Sequence, residues 1–300
     1  MTLLQMKYLD AIVRNNSITK AAEELFVSQP GISKSLIELE KEYNFNFFYR
    51  QNNKLVITDE GLYFWKKIQR ILKNIDVLSE EMNYCGSKKV FLTIGVTPMV
   101  GVFLFPKMFS EFHYSFPDVE IDITENGTFR ILEQLKNNEI NMGFIIKEKG
   151  DKTICTDKIN CYPIFSTKLL FCINKNHKLK NFKNINFFQI KDVPLLLLKN
   201  DSYQNVKIKK IFKELELESN IELCINHPIL IKNLLLDSEA GTFFIKEFID
   251  YIKEDNIVSL NIEPSIEIEV CLVWLKNTII NKTLLDFIKI VKSYDFKSTL

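Results

Sequence analysis

The segment from residue 19 to residue 50 constrains the fold most, because two short helical patterns and the start of a strand follow one another with almost no linker. In the first pattern, Ala21, Ala22 and Leu25 place small and apolar groups on one helical face, where a second helix can pack closely. Thr19 is predicted to cap this helix, since a hydroxyl can accept a hydrogen bond from a free amide in the first turn.

The second helical pattern begins after Ser28, its predicted N-cap, and carries Pro30 in the first turn, where a missing N–H costs little. Ile32, Leu36 and Leu39 follow at helical spacing and form an inward stripe. The two residues before the cap form the turn. The pattern therefore predicts two helices packed across a tight turn.

The outward face of the second helix carries side chains that suit base edges. A Gln side chain can hydrogen-bond the edge of adenine, a Ser hydroxyl can hydrogen-bond more than one kind of base edge, and a Lys ammonium can reach guanine or phosphate. A helix pair that leads into a strand is typical of a winged helix-turn-helix, which places its second helix in the major groove of DNA. The same spacing also fits a helix pair in another α-rich domain. The predicted DNA-binding residues are Thr19, Ser28, Gln29, Pro30, Ser33, Lys34, Ile37, Arg50 and Lys54.

The first 84 residues contain a set of short motifs: Leu9, Ala21 with Ala22, VSQPGIS at 27–33, LE at 39–40, FYR at 48–50 and VITDEG at 56–61. With these motifs, residues 1 to 84 resemble the DNA-binding region and linker helix of the LysR-type transcriptional regulators. Where this family usually has a glycine after its LE pair, the chain has Asn44, which tolerates a left-handed backbone. The wing tip, residues 51 to 54, carries fewer positive charges than is usual in the family.

The composition is that of an ordinary globular protein, with 46% hydrophobic and 26% charged residues, and 300 residues suit two domains or more. The N-terminus mixes Lys7, Asp10 and Arg14 into its apolar pattern and does not resemble a signal peptide. No run of about 18 uncharged apolar residues occurs, so we expect a cytoplasmic protein without a membrane partner.

The charge balance is close to neutral, at +1 overall, and residues 1–89 hold 13 Lys and Arg against 11 Asp and Glu. This excess is small for a DNA-binding protein. The positive potential is therefore expected to come from the arrangement of the charges and from dimerisation, which doubles the basic surface.

Neither a metal site nor a cofactor is expected. The six cysteines form no CxxC pair, and the three histidines are scattered, with His177 in an NHKL stretch where a structural role is expected. The sequence has no Gly-rich phosphate loop and no nucleophile elbow. We therefore expect a protein that is not an enzyme.

The pattern from Asp59 to Tyr84 predicts one long helix, capped by Thr58 and about 39 Å in length at 1.5 Å per residue. A helix with one apolar seam and no core of its own needs a partner. It can pack on its own domain or on a second copy, and the resemblance favours dimerisation. The predicted seam consists of Trp65, Ile68, Leu72, Ile75 and Met82.

Strands and helices alternate after residue 89, which predicts parallel pairing with helices on the sheet faces. The pattern restarts near residue 168, which indicates two α/β lobes. Strands are predicted at 90–96, 119–124, 141–146, 168–173, 193–198, 221–225 and 267–275, and helices from about 98, at 129–137, 203–215 and 283–294.

The resemblance to LysR-type regulators extends over this half through weaker motifs: PDVEIDITE at 117–125, NHKL at 176–179 and AGTFFI at 240–245. It implies an α+β multidomain protein, with an effector-binding domain of two lobes similar to periplasmic binding proteins. Phe243 stands where the family has glycine, and an aromatic ring there is expected to narrow or fill the cleft. The predicted domains are a winged helix-turn-helix at 1–58, a linker helix at 59–88 and an effector domain at 89–300, with lobe I at 89–163 and 268–300 and lobe II at 164–267.

Ligands of open α/β sheets bind beyond the carboxyl ends of the strands. Helix N-termini at 98, 128 and 203, together with nearby hydroxyls, suit an anion such as a carboxylate. Each hydroxyl alone fits a helix cap equally well, and Arg130 fits a surface salt bridge better than a ligand contact. The predicted effector-binding residues are Thr97, Pro98, Met99, Asn126, Gly127, Thr128, Asn200, Ser202, Tyr203, Asn226 and His227.

These patterns favour a dimeric or tetrameric transcriptional regulator whose small-molecule effector shifts the geometry of its DNA-reading heads. Its expected partners are double-stranded operator DNA, an effector of anionic character, further copies of the chain and RNA polymerase. One alternative keeps the DNA-binding half and makes the second half a ligand-free scaffold. Another, an α/β enzyme or solute carrier, lacks a catalytic constellation and an export signal.

Overall fold

The computed structural model describes residues 1–51, 54–84, 90–154, 156–276, 282–294 and 296. The chain divides into two compact units, residues 1–88 and 89–300. The first unit contains α1 (Leu3–Asn15), α2 (Ile18–Glu24), α3 (Gln29–Tyr43), β1 (Phe48–Gln51), β2 (Lys54–Ile57) and α4 (Asp59–Tyr84).

The helix pair of the first unit packs as predicted. Ala21 and Ile32 have no exposed surface, and both lie in one cluster with Ala11 and Ile12 of α1. The small side chains of α2 let the helices approach closely, and the antiparallel pair of β1 and β2 forms the wing. Asn44 ends α3 in the left-handed conformation at φ 57°, as expected from its place in the sequence.

The predicted N-cap of α2 is corrected by the structure. Ser17 caps this helix, because its hydroxyl accepts from the amide of Lys20 at 3.3 Å, and the helix begins at Ile18. Thr19 therefore lies inside the first turn, with an exposed side chain. The sequence pattern alone did not distinguish two hydroxyl residues that lie two positions apart.

The linker helix α4 has the predicted bounds and the predicted cap. The Thr58 hydroxyl accepts from the amide of Gly61 at 3.0 Å. Its first turns, however, pack on their own unit: Ile68 is buried with Leu9, Leu39 and Phe47.

Two residues predicted for the dimer seam instead contact their own unit. Ile68 belongs to the core of that unit, and the indole of Trp65 donates to Asp10 at 2.9 Å. Leu72 packs against the same core, and Ile75 is half-buried. The side chain of Met82 lies outside the described residues.

The second unit alternates strands and helices over its whole length. Its first part contains β3 (Val90–Val96), α5 (Pro98–Phe103), α6 (Phe105–Ser115), β4 (Val119–Glu125), α7 (Thr128–Lys136), β5 (Met142–Glu148) and β6 (Ile159–Asn174). The remainder contains β7 (Asn184–Asn186), α8 (Phe187–Ile190), β8 (Leu195–Leu197), α9 (Tyr203–Glu214), β9 (Ile221–Cys224), α10 (Pro228–Leu236), β10 (Gly241–Ile245), α11 (Lys246–Ile252), β11 (Ile257–Glu263), β12 (Glu267–Leu275) and α12 (Lys282–Ser293).

The sheet runs in the order β4-β3-β5-β12-β6-β10-β8-β9, and β11 pairs with β6 and β7. Strand β3 pairs in parallel with β4 and β5, and β8 pairs in parallel with β9 and β10, as the alternation predicts. The long strand β6 pairs with β12 as far as Lys168 and with β10 from Leu169 onward. The strands before this change of partner, together with β12, are called lobe I below, and the strands from β7 to β11 are called lobe II.

Phe243 does not narrow the cleft, contrary to the expectation from sequence. It lies in β10 with no exposed side chain, and its ring packs on those of Phe171 and Phe187, at 5.2 and 6.2 Å between centroids. The ring therefore belongs to the core of lobe II. No helix in the described ranges is both long and apolar enough to cross a membrane.

Candidate DNA-reading surface and interlobe site

The second helix of the motif, α3, presents its polar face to solvent. Gln29, Lys34 and Ile37 are exposed and Ser33 is half-buried, while Ile32 and Leu39 on the other side are buried. The helix starts at Gln29 because the Ser28 hydroxyl accepts from the amide of Gly31 at 3.3 Å, and Pro30 adds no unsatisfied amide. The predicted face is therefore the one that is free to enter a groove.

Two residues of this face are coupled, since Nε2 of Gln29 donates to Oγ of Ser33 at 3.1 Å. Residues four apart on a helix lie one above the other, so the pair presents amide and hydroxyl groups as one polar patch. In the wing, Arg50 of β1 is exposed and pairs with Leu55 of β2. The side chain of Lys54 lies outside the described residues.

Six of the predicted effector-binding residues line one cavity between the lobes of the second unit. The volume open to the centre of a water-sized sphere is about 10 Å³, which is roughly room for one water. The sequence reasoning missed three lining residues, although Gln204 directly follows a predicted helix start and Ile146 and Leu198 end predicted strands. The lining consists of Thr97, Pro98, Met99, Thr128, Ile146, Leu198, Ser202, Tyr203 and Gln204.

The hydroxyls of this cavity have three different roles. Ser202 caps α9 by accepting from the amide of Asn205 at 3.1 Å. The hydroxyl of Thr128 is already engaged in two hydrogen bonds and does not cap a helix. Its Oγ1 donates to the carbonyl of Ile146 at 2.8 Å and accepts from the amide of Ile146 at 3.1 Å. Oγ1 of Thr97 is buried, makes no cap bond and has no hydrogen-bond partner among the described residues.

Gln204 is 3% exposed, and its Nε2 donates to the carbonyl of Phe243. Its Oε1 has no partner among the described residues. A buried polar atom without a partner is costly, so Oε1 of Gln204 and Oγ1 of Thr97 mark where a bound group would gain hydrogen bonds. Thr97 lies in lobe I and Gln204 in lobe II.

The other predicted effector-binding residues do not line the cavity. The side-chain amide of Asn126 bonds Thr124 and Gln134 at 2.6 and 3.1 Å, and exposed Asn200 accepts from Lys209 at 2.7 Å. These amides are engaged locally. His227 precedes α10 and makes no cap bond through its side chain.

Gly127 and Asn226 are also absent from the cavity lining. Gly127 contacts Asp201 of the other lobe, whereas Oδ1 of Asn226 is buried without a partner in the described part of the chain.

An ion pair and a hydroxyl contact join the two lobes beside the cavity. Glu148 at the end of β5 accepts from the Tyr203 hydroxyl at 3.2 Å and from Nζ of Lys207 at 2.7 Å, which joins the lobes. Burial and the neighbouring Glu148 carboxylate raise the pKa of Tyr203, so its hydroxyl stays protonated. Arg130 pairs with Glu133 at 2.8 Å on the surface, as the sequence favoured, and not with the cavity.

The described residues contain no group of three or more His, Cys, Asp and Glu that could hold a metal ion. His177 is buried, and its Nδ1 accepts from the amide of Leu179 at 3.1 Å, which gives it a structural role. Burial lowers the pKa of His177. Cys155 lies outside the described residues, and the side chain of Cys161 is half-buried.

Comparison with known proteins places both units in one family. Residues 3–62 match the family described as bacterial regulatory helix-turn-helix protein, lysR family, and residues 91–295 match the LysR substrate binding domain. The HTH-type transcriptional activator CmpR of Synechocystis is 28% identical over 232 residues, which cover 77% of this chain and 74% of that protein. A probable RuBisCO transcriptional regulator of Guillardia theta is 26% identical, with 81% and 79% covered.

Solved structures show the same fold. Full-length CbnR complexed with its target DNA has a TM-score of 0.67 at 18% identity, covering 97% of this chain and 99% of that one. The Corynebacterium glutamicum OxyR C206 mutant has a TM-score of 0.55 at 17% identity, with 97% and 92% covered. With a helix-turn-helix matched over residues 3–62 and a substrate-binding domain over 91–295, this chain belongs to the LysR family of DNA-binding transcriptional regulators.

Proposed function

We propose that the second unit senses a small molecule that enters between its lobes at the cavity formed by Thr97, Thr128, Ser202, Tyr203 and Gln204. The observation that carries this proposal is the pair of buried oxygens without partners, one on each lobe, that line the same space. A ligand that bonds both oxygens would form hydrogen bonds that neither atom has while the lobes are closed. Because the space now holds roughly one water, the lobes must part to admit a metabolite.

The effector acts on DNA binding only through its different affinities for two arrangements of the protein. Each copy supplies one reading head, in which Gln29 and Ser33 contact base edges and Lys34 and Arg50 contact phosphates. Engaging two half-sites at once multiplies affinity, so a change in the distance between two heads changes operator binding.

Self-association is proposed to use the part of α4 that its own unit leaves uncovered. Ile71 and Leu78 lie seven residues apart and are 40% and 52% exposed, although both are aliphatic. RNA polymerase is a further proposed partner of the DNA-bound form. A chromosomal target implies a cytoplasmic location.

Thermal unfolding with a panel of metabolites tests the effector proposal, since a ligand of the folded form must stabilise it. A hit should raise the unfolding midpoint of the wild type and of Ser110→Ala, an exposed control on α6. The same metabolite should raise the unfolding midpoint less in Thr97→Val and in Gln204→Leu. A hit with equal effect on all four proteins would place its site elsewhere.

A second candidate function is supported by the size of the cavity. A second unit that stays closed would serve as a ligand-free scaffold for oligomerisation. In that case no metabolite shifts the midpoint, and Thr97→Val stabilises the chain by removing an unsatisfied hydroxyl.

A further inference from the structure

The N-terminus of α7, predicted as an anion site, is occupied by a carboxylate of the chain itself. Gly127, the N-cap residue, donates its amide to Oδ2 of Asp201 at 2.8 Å. The amide of Phe129 in the same first turn donates to the carbonyl of Asp201 at 3.0 Å. Asp201 lies after β8 in lobe II, whereas Gly127 and Phe129 lie after β4 in lobe I.

This arrangement is favourable in the way that a bound anion would be. The nine-residue helix α7 carries partial positive charge at its N-terminus, and its first amides have no partner within the helix. A carboxylate at such an end satisfies the amides and the dipole together. Asp201 therefore supplies from lobe II what a ligand carboxylate would supply to lobe I.

The contact leaves no room between the lobes. A Cβ atom added at Gly127 would lie 2.2 Å from the carbonyl carbon of Asp201 and 2.4 Å from the amide nitrogen of Ser202. Both are backbone atoms, so no side-chain rotation relieves the overlap. The lobes must separate at this point before anything larger than hydrogen can stand there.

The contact also leaves one oxygen of the Asp201 carboxylate without a hydrogen bond, so another carboxylate can replace it. Oδ1 of Asp201 is buried and has no hydrogen-bond partner among the described residues. Nearby, Oγ1 of Thr97 and Oε1 of Gln204 are likewise unsatisfied in side chains that are more than nine-tenths buried. An effector that carries a hydrogen-bond donor besides its carboxylate can donate to Oε1 of Gln204 and bond Oγ1 of Thr97, neither of which Asp201 satisfies.

We infer that Asp201 is a tethered competitor of the effector: it closes the lobes by filling the anion site at α7, and a carboxylate-bearing effector opens them by displacing it. This inference rests on the proposed function and adds the ligand class and the means of regulation.

Chemical rescue tests the inference with the full chain and formate as the probe. In Asp201→Ala the α7 site is vacated, and free formate can fill it. Formate should then raise the unfolding midpoint of Asp201→Ala by about 2–4 °C more than chloride at equal ionic strength. The wild type and Asp192→Ala, an exposed aspartate of the same lobe, should respond equally to both salts. Equal responses of Asp201→Ala to formate and chloride would overturn the inference.

A steric variant supplies an independent measurement should Asp201→Ala fold poorly. Gly127→Ala must force the lobes apart, whereas in Gly101→Ala the new methyl group meets its neighbours at 3.4 Å or more. Hydrogen exchange at the Phe129 amide should accelerate in Gly127→Ala and in Asp201→Asn but not in Gly101→Ala. Unchanged exchange in both variants would contradict the tethered contact. Neither test uses a natural effector, so both can fail while a metabolite hit still supports the proposed function.

Discussion

The indole Nε1 of Trp65 donates to Oδ1 of Asp10 at 2.9 Å, and this bond joins the linker helix α4 to α1 across 55 positions of sequence. The second oxygen of Asp10 accepts from Arg14 at 2.9 Å. Together with the burial of Ile68, the bond makes the first three turns of α4 a structural part of the DNA-reading unit. The first turns of α4 and the buried side of α3 therefore belong to one packed core.

The polar patch on α3 is expected to read bases as a unit. Gln29→Ala and Ser33→Ala should each weaken specific binding by about 1–3 kcal/mol, the worth of a good base contact. Because Gln29 donates to Ser33, the double variant should lose less than the sum of the two. Gel-shift titrations measure this, with half-buried Ser35→Ala on the same helix as control. Wild-type affinity in both single variants would contradict the assignment of the reading face.

Lys34 should contribute charge rather than sequence discrimination. Lys34→Ala is expected to weaken binding to specific and random DNA alike and to reduce the slope of log affinity against log salt by about one. Titrations at several salt concentrations measure the slope. A loss confined to the specific site would instead make Lys34 a base contact.

Dimerisation should depend on the exposed apolar residues of α4. Ile71→Asp with Leu78→Asp is expected to give a monomer with an intact fold and weak operator binding, because the two half-sites are then engaged separately. Gln69→Asp carries the same charge on the opposite face and should remain a dimer in sedimentation. Ile68→Asp should instead unfold the first unit, since its side chain is buried. A dimeric Ile71/Leu78 double variant would rule out this seam.

Lys147 should stabilise the second unit strongly. Its ammonium is buried, and it bonds Glu269 at 2.7 Å and the carbonyl of Asp151 at 3.1 Å. Lys147→Met leaves the half-buried Glu269 carboxylate without its cation, so the variant should cost about 1–3 kcal/mol in urea unfolding. The exposed pair of Lys149 and Glu267 offers the control, and Lys149→Met should change stability little. Equal effects of the two substitutions would show that burial is not decisive here.

The thiol of Cys172 should be unreactive in the folded protein, because burial raises its pKa from 9.0 to about 12. The raised pKa stabilises the fold below about pH 9, and this contribution is lost as pH rises toward 12, since the unfolded thiol ionises first. Maleimide labelling at pH 8 with and without denaturant measures the protection.

Peroxide should leave DNA binding unchanged, and Cys155→Ser with Cys161→Ser should behave like wild type. A peroxide response that disappears in this double variant would identify a redox signal instead.

Local patterns were sufficient for much of the fold. The bounds of α4, the left-handed Asn44 and the strand at 267–275 match the structure residue for residue. The elements that the patterns did not predict, among them β10, β11, α10 and α11, lie in lobe II. There, strands such as GTFFI are buried throughout and show no alternation that separates a strand from a buried helix.

The sequence by itself determined the family, the helix-turn-helix, the length of the linker helix and six of the residues that line the cavity. These depend on periodicity, caps and strand ends, which arise from neighbours a few positions apart. Only the tertiary structure decided which side of α4 is covered and that Asp201 reaches Gly127, 74 positions away. The reason is physical: a long-range contact depends on how the intervening elements pack, and no local pattern records which partner a side chain will meet.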